Sequence, residues 1–217
     1  MVQHRQLNRE DWLAVARKTL VASGIDDVKV ERLAAKMRVT RGSFYWHFEN
    51  RRDLLDALLN DWEVRNHFEM AQIRTRWSRS EPDLSEIVAI WIGGDPDFPS
   101  YDMAIRGWAR KSPSVSEAVV RIDEAWVALI AELFRREDYS EDESFVRARV
   151  IYFHQVGYHA LGIHEDVRER IRLAPLYYKA LTGKEPGTKL RRTLDILSRQ
   201  QRSEERLPRR SAARRRG

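Results

Sequence analysis

The sequence predicts an all-α fold in which a small N-terminal module of short helices is joined by one long helix to a larger helical domain. Apolar residues recur at the 3.6-residue spacing of amphipathic helices along most of the chain, and no stretch reads as a strand. A capping residue followed three positions later by an acid, the capping-box pattern, stands at Asn8…Asp11, Asn50…Asp53, Ser114…Glu117 and Ser140…Glu143. Gly and Pro clusters punctuate the segments between them.

The first helix is expected over Arg9–Ser23. Asn8 caps it, Trp12, Ala16 and Leu20 form its inner stripe with Leu13 alongside, and Gly24 stands where a helix ends with positive φ. A second helix, Val30–Met37, offers Leu33 and Met37 to the same core, and Arg38-Val39 is the turn that leads to Thr40. Asn50 caps a long helix that carries Leu54, Leu55, Leu58, Leu59 and Trp62 on its inner face and can be followed to about Trp77. Residues 78–83 read as a break, since Pro82 cannot continue a helix.

A short helix over Leu84–Ile92 ends at Gly93-Gly94, and Asp95-Pro96-Asp97-Phe98-Pro99 is the clearest breaker in the chain. Further helices are expected over Tyr101–Lys111, from Ser112-Pro113 and the Ser114 capping box to about Arg136, and from the Ser140 box to about Leu161. The segment His164–Leu181 continues as helix, with Pro175 either kinking it or starting a new one. From Gly183 onward the pattern fades.

The most informative stretch is Thr40 to Phe48, Thr-Arg-Gly-Ser-Phe-Tyr-Trp-His-Phe. Phe44 and Phe48 lie four residues apart and both can point inward. Arg41, Ser43, Tyr45 and His47 then face outward or to the flanks, where they can donate hydrogen bonds. A short helix with an apolar inner stripe and a donor-rich outer face suits insertion into a DNA groove.

Leu33-Ala34, the run Val39 to Phe48, Asn50-Arg51 and Leu54 together resemble the helix-turn-helix of TetR-type transcriptional regulators, over roughly residues 8–60. A looser likeness extends to the ligand domain of that family at Ile105–Asp123 and Val146–Gly162. The resemblance implies a homodimeric regulator, a repressor released by a small effector, whose two recognition helices read an inverted repeat in double-stranded DNA. It places Arg41, Ser43 and Tyr45 as base or near-base readers and Lys29, Tyr45, Trp46, His47 and Arg51 on phosphates, with Arg38, Thr40 and Gly42 in the same interface. It also implies that an effector bound among the middle helices tilts the long fourth helix and changes the separation of the recognition helices.

Two positions depart from the family pattern. Lys29 stands where the family has a Ser or Thr cap, which weakens the cap by about 1 kcal/mol. Arg38 stands where the family has Gly, and a positive φ there costs on the order of 1 kcal/mol.

Charge agrees with this division. Residues 1–52 hold eleven Lys/Arg against six Asp/Glu, residues 53–188 hold seventeen against twenty-four, and residues 189–217 hold eleven against three. Basic ends around an acidic middle direct a polyanion to the N-terminal module, with help from the tail if the tail's charge does more than keep it solvated. The absence of cysteine excludes disulfides, thiol catalysis and Cys-zinc sites. The N-terminus lacks the apolar core of a signal peptide, and no apolar run approaches the ~18 residues of a membrane span. A soluble, cytoplasmic protein that does not engage membranes is expected. His154, His159 and His164 are spaced by five, which turns successive side chains ~140° apart on a helix, so they cannot share one metal ion. No catalytic set can be placed by spacing, and neither an enzymatic role nor a cofactor has positive support.

Two features of the larger domain bear on partners. Trp91, Trp108, Trp126 and Tyr152 either line an aromatic pocket for a largely apolar effector or simply fill the core. The Ser140 helix is apolar on two sides and needs two partners, its own core and a second subunit. Val146, Val150, Phe153, Gly157, Ala160 and Leu161, with Leu176 and Tyr177 from the next segment, are the expected seam. The organisation expected is a DNA-binding domain over 1–49, a linking helix starting at 50–77, an effector and dimerisation domain over 50–183, and a basic, disordered tail over 184–217. The alternative is a DNA-binding or interaction protein of the same fold with no ligand response.

Overall fold

The computed structural model describes residues 7–79 and 81–206. Among them are ten α-helices and no strand: α1 (Arg9–Ser23), α2 (Val30–Met37), α3 (Arg41–Tyr45), α4 (Arg51–Trp77), α5 (Ser85–Gly93), α6 (Phe98–Ala109), α7 (Pro113–Arg135), α8 (Glu141–Ala160), α9 (Val167–Thr182) and α10 (Thr188–Arg206). The helices group into two compact units. The first runs up to Ala71 and includes Pro96–Val127; the second comprises Gln72–Asp95 and the chain from Ala128 onward. Helices α4 and α7 each run from one unit into the other.

The first unit is built on aromatic packing. Trp12 is fully buried and meets the Phe44 ring edge-on at 5.3 Å, while Phe44 stacks on Phe48 at 5.4 Å. Ala16, Leu20, Leu33, Leu54 and Leu58 close the core around them. Asn8 caps α1 as expected: its Oδ1 accepts from the Asp11 N–H, and the Asp11 carboxylate accepts from the Asn8 N–H, both at 2.9 Å. Helix α6 packs on α1, and the Tyr101 hydroxyl donates to the Leu58 carbonyl at 2.6 Å.

The second unit gathers α5, α8, α9, α10 and the C-terminal third of α7. Ile87, Leu129, Ile130, Phe134, Ile151 and Leu190 are buried in it. Ser140 caps α8 with the expected box, its Oγ accepting from the Glu143 N–H.

Three boundaries correct the sequence reading, and the start of α7 keeps to it at Pro113. Residues 188–206 of the expected disordered tail form α10, because Leu190, Leu194 and Leu197 recur at helical spacing and are buried where α10 packs on α5 and α9. A Cβ on Gly93 would stand 2.3 Å from the Leu197 side chain, so the glycine lets α10 come close. The remainder of that tail, 207–217, lies outside the described residues. Phe98 and Pro99, read as a breaker, are the first two residues of α6, where proline's missing N–H costs nothing. Helix α7 starts at Pro113, one residue after Ser112, ahead of the Ser114 box. Residues 161–166 leave helical geometry, and α9 begins only after Asp166, whose side chain caps the Arg168 N–H at 2.8 Å.

Candidate functional site

The turn between α2 and α3 is held by its backbone. Arg38 adopts φ 59°, ψ 41°, the left-handed region, and its N–H and that of Val39 return to the carbonyls of Ala35 and Ala34 at 3.1 and 3.0 Å. This is a helix end of the kind usually closed by glycine. Arg38 pays a strain on the order of 1 kcal/mol to stand there, and its side chain is exposed. Thr40 occupies the cap position of α3 in extended geometry, yet its hydroxyl makes no capping bond.

Phe44 and Phe48 anchor α3 from below, and the outer residues follow from that. Tyr45 is 60% exposed and Trp46 87% exposed, so the tip of α3 carries two aromatic side chains that this chain does not cover. Lys29, Arg41 and Gly42 are exposed beside them, and Ser43 and His47 are half-buried. Lys29 opens α2 in extended geometry without a side-chain cap. The Arg41 guanidinium donates to Glu31 at 3.3 Å across two exposed side chains. The Glu31 carboxyl is held below its usual range by its own backbone N–H first and by Arg41 second. A Cβ on Gly42 would meet only the Thr40 hydroxyl, at an ordinary 3.6 Å.

Arg51 does something else. Its Nε donates to the Val28 carbonyl at 2.6 Å and its Nη2 to the Ile25 carbonyl at 3.0 Å. The guanidinium therefore ties the loop between α1 and α2 to the start of α4, an engagement that its expected place on a phosphate did not include.

In the second unit, α5, α8 and α9 enclose a cavity of about 620 Å³ including its open mouth. Leu84, Val88, Ile92, Ile151, Ala174 and Leu181 give it apolar walls, and Trp91, Tyr158, Tyr177 and Tyr178 give it aromatic ones. Its polar groups are His154, Gln155, Glu165 and Arg170. The His154 ring stacks on Tyr177 at 4.8 Å, and burial lowers its pKa. Among the described residues no group of three or more His, Cys, Asp or Glu could hold a metal ion.

The chain matches the family of bacterial regulatory proteins, tetR family, over residues 13–58. It is 39% identical over 62 residues to the tetracycline repressor protein class D of Escherichia coli. Residues 13–58 are thus a tetR-family N-terminal module. That match covers 29% of this chain and 28% of the repressor, so the chain spans little more than a quarter of the length of the curated relatives it matches. Solved structures extend the likeness of fold to most of the chain. A TetR-family transcriptional regulator from Marinobacter aquaeolei VT8 superposes with a TM-score of 0.64 at 12% identity, covering 89% of this chain and 98% of that one. The fatty acid degradation regulator FadR from Bacillus halodurans gives 0.61 at 14%, covering 85% and 100%.

The expected pocket residues separate. Trp91 lines the cavity, whereas Tyr152 is buried in the same unit but does not line it. Trp108 and Trp126 belong to the first unit. The Trp126 indole donates to Asn66 at 2.9 Å, Asn66 to the Trp62 carbonyl at 3.0 Å, and the Trp62 indole to Asp102 at 2.9 Å, so Trp126 belongs to a buried ladder of hydrogen bonds. Tyr158, Glu165 and Arg170 were not anticipated; their signal, one residue on each of three consecutive segments, has no local period. The expected seam residues Val146, Val150, Phe153, Leu161, Leu176 and Tyr177 are exposed apolar groups on α8, its C-terminal end and α9, with Ala160 exposed among them. Gly157 is half-buried, and nothing lies within 4 Å of a Cβ built on it. No helix among the described residues is long and apolar enough to cross a membrane.

Proposed function

We propose that the protein is a cytoplasmic, homodimeric transcriptional repressor that binds an inverted-repeat operator through α3 and releases it when a small effector enters the cavity of the second unit. The observation that carries this reading is the tip of α3. Two aromatic side chains with polar ends and the cations Lys29, Arg38 and Arg41 stand in solvent on a base whose own aromatic rings are fully buried. Arg41, Ser43 and Tyr45 read base edges, while Lys29, Arg38, Thr40, Trp46 and His47 hold backbone phosphates. Arg41 exchanges Glu31 for DNA on docking, a partner swap that costs little between exposed groups.

The apolar face of α8 and α9 supports a two-fold pairing, since a single subunit leaves Val146, Val150, Phe153 and Leu176 in water. Effector binding then acts through α4 and α7, the helices that run from one unit into the other.

The test is selection of genomic fragments by the purified protein, followed by anisotropy titration of the enriched sequence. An inverted repeat with half-sites about one helical turn apart is expected. Trp46→Ala should weaken binding roughly tenfold, the scale of one or two lost phosphate contacts, with no change in melting. Enrichment of no common sequence would remove the proposal.

A further inference from the structure

We propose that the cavity between α5, α8 and α9 takes an aromatic monocarboxylate, its acid group held by Arg170 and its ring laid on the wall formed by Trp91, Tyr177 and Tyr178. The inference rests on the reading of this cavity as the effector site and goes further by naming what enters it.

Arg170 is half-buried, and its guanidinium makes one hydrogen bond, from Nη2 to the Trp91 carbonyl at 2.8 Å. It lies 5.2 Å over the Tyr158 ring, and no carboxylate among the described residues forms an ion pair with it. A guanidinium carries five N–H donors and does not shed its proton in a protein. Its other donors meet no protein acceptor among the described residues, Arg170 lines the cavity, and burial works against the charge it carries. The geometry of the fork matches the two oxygens of a carboxylate.

Two neighbours limit the charge the site accepts. Arg170 is the one permanent cation among the described residues that line the cavity, because the His154 pKa is lowered by burial and the ring is neutral near pH 7. Glu165 lines the same cavity, and one of its oxygens accepts from the Tyr158 hydroxyl at 3.0 Å. Its charge is close enough to act on Arg170. A second negative charge on the ligand would meet Glu165, so phosphate esters and dicarboxylates are disfavoured. Apolar and aromatic side chains form the remainder of the wall and accept the ring.

The experiment is calorimetric titration of the full-length protein with matched sets that share one body and differ in the head: 3-phenylpropanoate, its primary amide and its amine, and the same three heads on a naphthyl body. The carboxylate should bind roughly tenfold or more tighter than the amide, the range of a hydrogen-bonded charge. Arg170→Gln should erase that preference while leaving amide binding within about twofold. Glu165→Gln leaves the Arg170 contacts in place and should tighten carboxylate binding severalfold. Absence of a carboxylate preference in both sets, tightest binding of the amine, or a preference that survives Arg170→Gln overturns the inference. A gel shift with the selected operator distinguishes the two levels: a preferred carboxylate that leaves the DNA complex intact upholds the ligand class and sinks the effector reading. Release of DNA by the amine alone does the reverse.

Discussion

The α3 module and the α5–α8–α9 cavity place their polar groups oppositely. In the module the aromatic rings of Trp12, Phe44 and Phe48 fill the inside, and Arg41, Tyr45 and Trp46, the groups proposed to recognise DNA, project from it. In the second unit the polar groups proposed to meet a ligand, His154, Tyr158, Glu165 and Arg170, line a concavity whose surroundings are apolar. A polyanion too large to be enclosed must be met by a protruding surface, whereas a small molecule must be stripped of water to be discriminated. Sequence distance differs in the same sense: the first site lies within residues 29–48, and the second draws on positions from 84 to 181.

The largest effect that would break this contrast is at its rigid side. Phe44→Ala removes a ring packed against both Trp12 and Phe48 and should cost about 3–5 kcal/mol. Chemical unfolding should show the loss, and operator binding should disappear with it. A variant as stable as the parent would mean that the module does not depend on this packing.

Gly157→Arg comes next and probes the seam. Nothing lies within 4 Å of a Cβ at Gly157, so the subunit itself has room for a larger side chain. A charge buried at a two-fold seam has no partner. Sedimentation should show monomers of unchanged helicity, with operator binding weakened by at least about tenfold because two half-sites are no longer read together. Persistence of the dimer would move the seam elsewhere on the second unit.

Legibility followed this difference in sequence distance. Asn8 with Asp11, Ser140 with Glu143, the Phe44–Phe48 spacing and the limits of α1, α2 and α4 are local patterns, and the structure reproduces them. Helix α10 was hidden because its three leucines sit among basic and polar neighbours whose composition outweighs a stripe of spacing four and three. The cavity was hidden because tryptophan content cannot separate Trp91, at a cavity wall, from Trp126, whose indole is satisfied by Asn66. Arg51 shows the same limit at one residue: its position suggested a phosphate, and only the fold reveals the carbonyls of Ile25 and Val28 in front of it.

Arg51→Ala sharpens that point. Two bonds from a charged donor to the loop carbonyls of Val28 and Ile25 are lost, at about 1.5–3 kcal/mol. Stability should fall by that amount while the dependence of operator affinity on salt keeps its slope. A slope reduced by about one unit, with stability unchanged, would return Arg51 to the phosphates.

The smallest effect is a pH dependence that runs in opposite directions in the two units. In the first, burial raises the Asp61 pKa, and Arg17 only partly opposes it. The folded state then holds a proton on Asp61 more tightly than the unfolded chain does. Its contribution favours folding at low pH and is lost as pH rises from the ordinary carboxylate value through the raised one. In the second, burial lowers the His154 pKa, so the unfolded chain binds the proton more tightly. That contribution is present above the ordinary histidine value of about 6.5 and is lost as pH falls through the lowered one. Asp61→Asn should therefore make unfolding free energy less dependent on pH in the carboxylate range, and His154→Gln should do so just below neutrality. If Asp61→Asn flattens the dependence near neutrality and His154→Gln leaves it untouched, the assignment of the two groups is reversed and the contrast between the units fails at this level.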